Sequence, residues 1–141
     1  MRTEPGTRKC GVRVTLAAVP AAPGLARSFV RHTLRAWRLG RLVDDAELVA
    51  SELVTNAVKA STTPAPADLR GTPLVMVELR ADGDVLRIAV KDSDRGRPAL
   101  QEAADDAEGG RGLFLVQALS ARWDVSPAPD GKVTWAELHL G

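Results

Sequence analysis

Cysteine is nearly missing from this 141-residue chain. Cys10 stands alone, so no internal disulfide can form, and a reducing, cytoplasmic setting is expected. His32 and His139 are the only histidines, and no CxxC or HxxH pairing gives them zinc-site spacing. No run of 18 apolar residues occurs, so no transmembrane helix is expected. The uncharged stretch 14–26 follows Arg8, Lys9 and Arg13 as a signal peptide would. Pro20, Pro23 and Gly24 interrupt it, and it is rich in Ala rather than Leu, so it reads as a strand, a turn and a helix start. An excess of one charge is missing too: 19 Lys and Arg against 18 Asp and Glu leave +1. That excludes the strongly basic composition of a DNA coat protein or an arginine-rich RNA binder.

What is present is a chain with 45% hydrophobic and 26% charged residues, enough for one domain with a core and too short for two. Its charge is uneven, with nine basic residues against Glu4 alone over 1–43 and ten against 17 acidic residues over 44–141. Fifteen of the 19 basic residues are Arg and Ala is abundant, a pattern that codon bias produces, so the arginine count carries no functional weight.

Residues 1–11 read as a flexible tail and 12–141 as a single domain. Residues 12–18 suggest an edge strand. Over 24–39, Ala26, Phe29, Val30, Leu34 and Trp37 recur at helical spacing while Arg27, Arg31, Arg35 and Arg38 take the other face, with Gly40 as the C-terminal cap. Asp44 or Asp45 caps a second helix reaching to 59. After a Pro-rich loop, 74–79 and 85–90 form a hairpin around Ala81-Asp82-Gly83-Asp84. Residues 95–112 read as a loop long enough for a lid or a binding loop. A helix over 113–120 and strands over 122–126 and 132–140 complete the chain. Strands and helices do not alternate strictly, so the expected fold is α+β, a two-layer sandwich with a mixed, mostly antiparallel sheet and helices on one face.

Three features could carry chemistry. Asn56 is the only asparagine and lies inside a helix, where its side chain competes for backbone hydrogen bonds. Glu52 precedes it by one turn, so a carboxylate and a carboxamide share one face and suit a hard cation such as magnesium, although a solvated helix face would carry the same pair. Alternation along 85–92 points Asp92 the way the core points, where a carboxylate needs donors and the amine of an adenine is one; an ordinary turn acid is the plain alternative. Finally, Gly110-Arg111-Gly112 runs into Leu113 at an expected helix start, where exposed amides attract phosphate, although a flexible loop also uses such glycines.

In order, Glu52-Leu-Val-Thr-Asn56-Ala-Val-Lys59, Val90-Lys-Asp92, Gly110-Arg-Gly112-Leu-Phe-Leu-Val and Gly131-Lys-Val-Thr134-Trp-Ala-Glu-Leu resemble the N box and glycine boxes of the GHKL ATPase superfamily. The resemblance covers about 12–140 and is nearest to the stand-alone anti-sigma factor serine kinases. It implies a Bergerat fold with ATP between sheet and helices under a lid at 95–108. It makes Asn56 the magnesium ligand and Asp92 the adenine reader, joined by Thr134. Gly96, Gly110, Arg111, Gly112 and Leu113 bind the nucleotide, with Lys59 a further phosphate candidate. Glu52 becomes the general base that takes a proton from a partner's serine hydroxyl. The implied partners are a sigma factor and its STAS-domain antagonist, with homodimerisation, no direct contact with nucleic acid and no membrane association.

The chain departs from the family pattern at three places. Asp94 stands where the first glycine after the strand acid belongs, Ala60 where close relatives often carry histidine, and Val133 where a threonine is common. Three functions therefore compete: an ATP-dependent anti-sigma kinase, a non-catalytic protein-binding module of the same fold with a degenerate or lost ATP site, and a DNA-binding regulator using the Arg27 to Arg38 face.

Overall fold

A computed structural model describes residues 9–61, 73–93 and 107–140, and over 107–111 the backbone alone. Strand β2 (Leu74–Asp82) buries Val75, Val77, Leu79 and Ala81 and turns Met76, Glu78 and Arg80 outward, so a period of two separates an apolar face from a charged one. Strand β3 (Val85–Asp92) does the same with Leu86, Ile88, Val90 and Asp92 on the inner face. Strands β1 (Lys9–Ala17), β4 (Arg122–Ala128) and β5 (Gly131–His139) complete a sheet of order β1-β2-β3-β5-β4. Every neighbouring pair is antiparallel, so the mixed sheet expected from sequence is wholly antiparallel among the described residues.

Helices α1 (Ala22–Ala36), α2 (Val43–Ser61) and α3 (Ala107–Leu119) complete the two-layer α+β sandwich. Between the layers, Val30, Leu34, Leu53 and Val54 from the helices meet Leu79, Leu86 and Ile88 from the sheet in one hydrophobic cluster. Burying each such side chain contributes about 1.5–3 kcal/mol. Arg31 of the α1 arginine stripe donates to Glu47 of α2 at 2.8 Å, a bond that raises its already high pKa. No helix of the described residues is long and apolar enough to cross a membrane.

Local chemistry explains most element ends. The β2–β3 hairpin closes on Gly83 and Asp84, with Asp82 opposite Val85 and Gly83 at φ 66°, the arrangement of a type II′ turn. Strand β1 starts at Lys9, opposite Asp82, inside the segment expected to be tail. Pro127 sits in β4, an edge strand, where its missing N–H costs no ladder bond.

Two expected ends move. Helix α1 stops at Ala36, and Arg38 rather than Gly40 supplies the left-handed residue, at φ 62°. Leu39 N–H bonds Leu34 C=O at 2.7 Å and Arg38 N–H bonds Arg35 C=O at 3.1 Å, the two bonds of a Schellman motif. Burial of Leu39 beside Leu34 holds it, and Gly40 opens a short 3-10 turn (Gly40–Leu42) instead. Helix α3 starts at Ala107, six residues before its expected start, so Gly109, Gly110 and Gly112 lie in its first turns rather than ahead of it. Each glycine costs a helix about 1 kcal/mol. Packing of α3 on α2, with Leu113 and Val116 buried, outweighs local propensity.

On the outer sheet face Glu137, only 7% exposed, accepts from Arg122 at 2.8 Å and from Arg87 at 3.0 Å, and Arg87 stacks over the Trp135 ring at 4.1 Å. Burial pushes the Glu137 carboxyl up, but the Arg122 and Arg87 bonds outweigh it and hold it below the usual glutamate value.

Candidate functional site

Helix α2 lies against β3 and α3 and is anchored by buried Val49, Leu53, Val54 and Ala57. Anchoring on that stripe leaves Glu52 and Asn56 half-buried at its margin, one turn apart on one face, and Lys59 exposed near the helix end. The Glu52 carboxylate packs directly on the Cα of Gly112. A methyl group at 112 would collide with Glu52 Oε1 and stand 3.4 Å from its Cδ. Helix α3 approaches this closely because position 112 has no side chain. A residue from the expected N box and one from the expected glycine box are thus in contact, although 60 positions apart in the chain.

Asp92 ends β3 on the inner face and is 3% exposed. Directly opposite it on β5 is Lys132, 9% exposed, whose ammonium donates to Asp92 Oδ1 at 3.2 Å. Thr134 pairs with Val90, one rung further in on the same face, and is half-buried. The backbone at Gly131 runs so close to β3 that a methyl group there would strike the Asp92 carbonyl and come within 2.8 Å of Ser93 Cα. That approach brings the start of β5 against the Asp92 backbone. Leu113, also expected at the site, is 5% exposed and helps seat α3.

The geometry therefore joins Glu52 to Gly112 and Asp92 to Lys132, sets Thr134 on the same sheet face as that pair, and places Asn56 one turn from Glu52 on α2. Gly110 and Arg111 belong by backbone to the first turns of α3. Gly96, Asp94 and the 95–106 part of the expected lid lie outside the described residues. Among the described residues no three His, Cys, Asp or Glu side chains gather into a metal-holding group. Lys132 is the residue that sequence reasoning missed. The alternation that places Thr134 with Ala136 and Leu138 also places Lys132 inward, and the β3–β5 register brings it to Asp92.

The family described as "Histidine kinase-like ATPase domain" matches residues 16–138. The chain belongs to that family. Among solved structures it is similar to "The crystal structure of the RsbU and RsbW domains of Rv1364c from Mycobacterium tuberculosis", with TM-score 0.60 and 22% identity over 92% of this chain. The match spans only 32% of that longer chain, and at this identity it speaks for the fold alone. A histidine kinase domain from the Erythrobacter litoralis EL346 blue-light activated histidine kinase aligns at TM-score 0.49 and 25% identity, over 85% of this chain and 60% of that one. A comparison with curated proteins returned no match.

In chemical terms the domain offers a carboxylate at the α2–α3 contact and a carboxamide one turn along the same face of α2. At the β3–β5 end it offers a buried carboxyl bonded to an ammonium, with a hydroxyl on the same sheet face. The first pair suits proton transfer and a hard cation, and the second suits a flat polar ring carrying donors.

Proposed function

We propose that this domain binds ATP with magnesium and transfers the γ-phosphate to a serine hydroxyl on a STAS-type antagonist protein, acting as an anti-sigma factor with kinase activity. The observation that carries the proposal is the packing of the Glu52 carboxylate on Gly112, while Asp92 and Thr134 share the inner face of the sheet. Family membership supports nucleotide binding. The partner assignment draws on the resemblance in the motifs and on a fold shared with a chain that contains an RsbW domain.

In this reading the adenine lies at Asp92, whose carboxylate accepts from its amine, with Thr134 as a second hydrogen-bonding group. The phosphates lie toward Asn56 and the first turns of α3, which Gly110, Arg111 and Gly112 belong to by backbone. Asn56 fits magnesium, because its carboxamide oxygen is a hard ligand on a rigid helix one turn from a second oxygen group; the ion it would hold would neutralise phosphate charge. Glu52 holds its place through Gly112 and accepts the serine proton as the hydroxyl oxygen bonds to phosphorus. The γ-phosphate leaves ADP in that step, and positioning and electrostatics provide most of the rate.

The rival reading, a protein-binding module that has given up its nucleotide, draws on Asp94 in the glycine box and on the Lys132 ammonium already at Asp92. Equilibrium dialysis with labelled ATP, with and without magnesium, tests both. Saturable, magnesium-enhanced binding that Asn56→Ala and Asp92→Asn abolish supports the kinase reading, and its absence ends it. Glu52→Ala should keep the binding and lose phosphotransfer.

A further inference from the structure

A buried lysine bonded to the acid assigned above to adenine is a feature that needs an account. Asp92 is almost fully enclosed, and a carboxylate so enclosed keeps its charge only with a cation or several donors at hand. Lys132 provides the cation from the facing position of the neighbouring strand, through a bond of 3.2 Å between two buried side chains. The pair is built by the backbone, since antiparallel register fixes Lys132 opposite Asp92 and the close passage of Gly131 leaves β5 no room to shift. An exposed lysine would lose about as much in side-chain entropy as it gained; one held between strands has already lost that freedom on folding.

We propose that Lys132 is a specificity-determining positioning residue, holding Asp92 as an ionised acceptor so that the pocket selects a purine with an amino group at C6 over one with an oxo group. This rests on the nucleotide-binding reading above. An ionised carboxylate only accepts hydrogen bonds, so it pairs with an exocyclic amine and repels a carbonyl oxygen placed in the same spot. A neutral carboxyl presents an O–H as well, and it tolerates either base. The cation on Asp92 thus decides which of the two the pocket reads. Lys132 need not touch the nucleotide to do this.

The experiment titrates the full chain calorimetrically with ATP and with inosine triphosphate, which differ only in the amino or oxo group at C6 and the proton on N1. The wild type, Lys132→Arg and Lys132→Gln are compared. Lys132→Arg should keep the preference for ATP within about threefold, and Lys132→Gln should lower it at least tenfold, mainly through weaker ATP binding. A merely structural lysine would weaken both nucleotides equally, and that result, or an undiminished preference in Lys132→Gln, overturns the proposal. Should Lys132→Gln not fold, the wild type still answers by lysine side-chain NMR. The chain has four lysines, and Lys132→Arg assigns the signal of Lys132. ATP should shift that signal more than inosine triphosphate does, and a signal that ATP leaves unmoved overturns the proposal. A wild type that binds neither nucleotide brings down the functional reading and this inference together. ATP preference retained in Lys132→Gln removes the inference alone.

Discussion

Gly112→Ala should separate the chemistry of this domain from its stability. Gly112 has ordinary helical backbone, so alanine there gains about 1 kcal/mol in helix propensity over glycine. Against that, the new methyl group meets Glu52 Oε1 and stands 3.4 Å from Cδ and 3.9 Å from Cγ. The obstacle is the far end of a flexible side chain, so Glu52 can turn away at about 0.5–1.5 kcal/mol. The two effects nearly cancel. Stability should change by less than about 1 kcal/mol, which shifts the melting temperature of a domain this size by no more than about 4 °C. In the proposed kinase reaction the displacement is less forgiven, because a general base displaced by about 1 Å loses on the order of 100-fold in rate. The assay pairs thermal unfolding and ATP titration with phosphotransfer from labelled ATP to a STAS-domain protein. Full phosphotransfer in Gly112→Ala would refute the positioning of Glu52 through Gly112. A melting temperature lowered by 10 °C would show instead that the contact mainly supports the fold.

Other positions give sharper stability effects. Gly131→Ala sets a methyl group against the Asp92 carbonyl and Ser93 Cα, which are backbone atoms that cannot step aside, so chemical denaturation should show a loss of about 3 kcal/mol or more; a loss under about 1 kcal/mol would contradict the close strand approach. Arg38→Gly relieves a left-handed non-glycine residue at φ 62° and should raise the urea midpoint by an amount equal to about 0.5–1 kcal/mol, whereas a lower midpoint would mean that Arg38 contributes contacts of its own. Glu137→Gln should cost about 1–2 kcal/mol at neutral pH, since Arg122 at the other end of the bond is 70% exposed. Because folding lowers the Glu137 pKa, this stabilisation is present above the unfolded glutamate value near about 4.3 and fades as pH falls through the lower folded value. A difference between wild type and Glu137→Gln that stays constant from neutral pH to about pH 3 would count against the assignment.

Periodicity made much of this fold readable. The inward direction of Asp92 and the apolar stripe of α1 follow from spacing alone, because period two and period 3.6 each leave a clear trace when one face is buried. The β2–β3 hairpin was equally clear from Gly83. The ends of α1 and α3 were not. Arg38 accepts a conformation that sequence rules reserve for glycine because Leu39 is buried beyond it, and α3 includes glycines that local propensity assigns to a loop. In both cases tertiary packing outweighs a local preference of about 1 kcal/mol. At the site, Glu52 and Asn56 were visible as a pair within one helix. The contact of Glu52 with Gly112 depends on how two helices dock, and the pairing of Asp92 with Lys132 on strand register. Neither has a signature within a single segment.

The tight passage of β5 beneath Asp92 also bears on how this chain can vary. Antiparallel strands that meet with room to spare can slide by one residue, and each slide sends every inward group to the outside. With Gly131 wedged under β3, the last hairpin has a single seating, so an extra residue at Pro129-Asp130 should bulge harmlessly outward. An extra residue between Gly131 and Thr134 would carry the hydroxyl to the opposite side of the sheet.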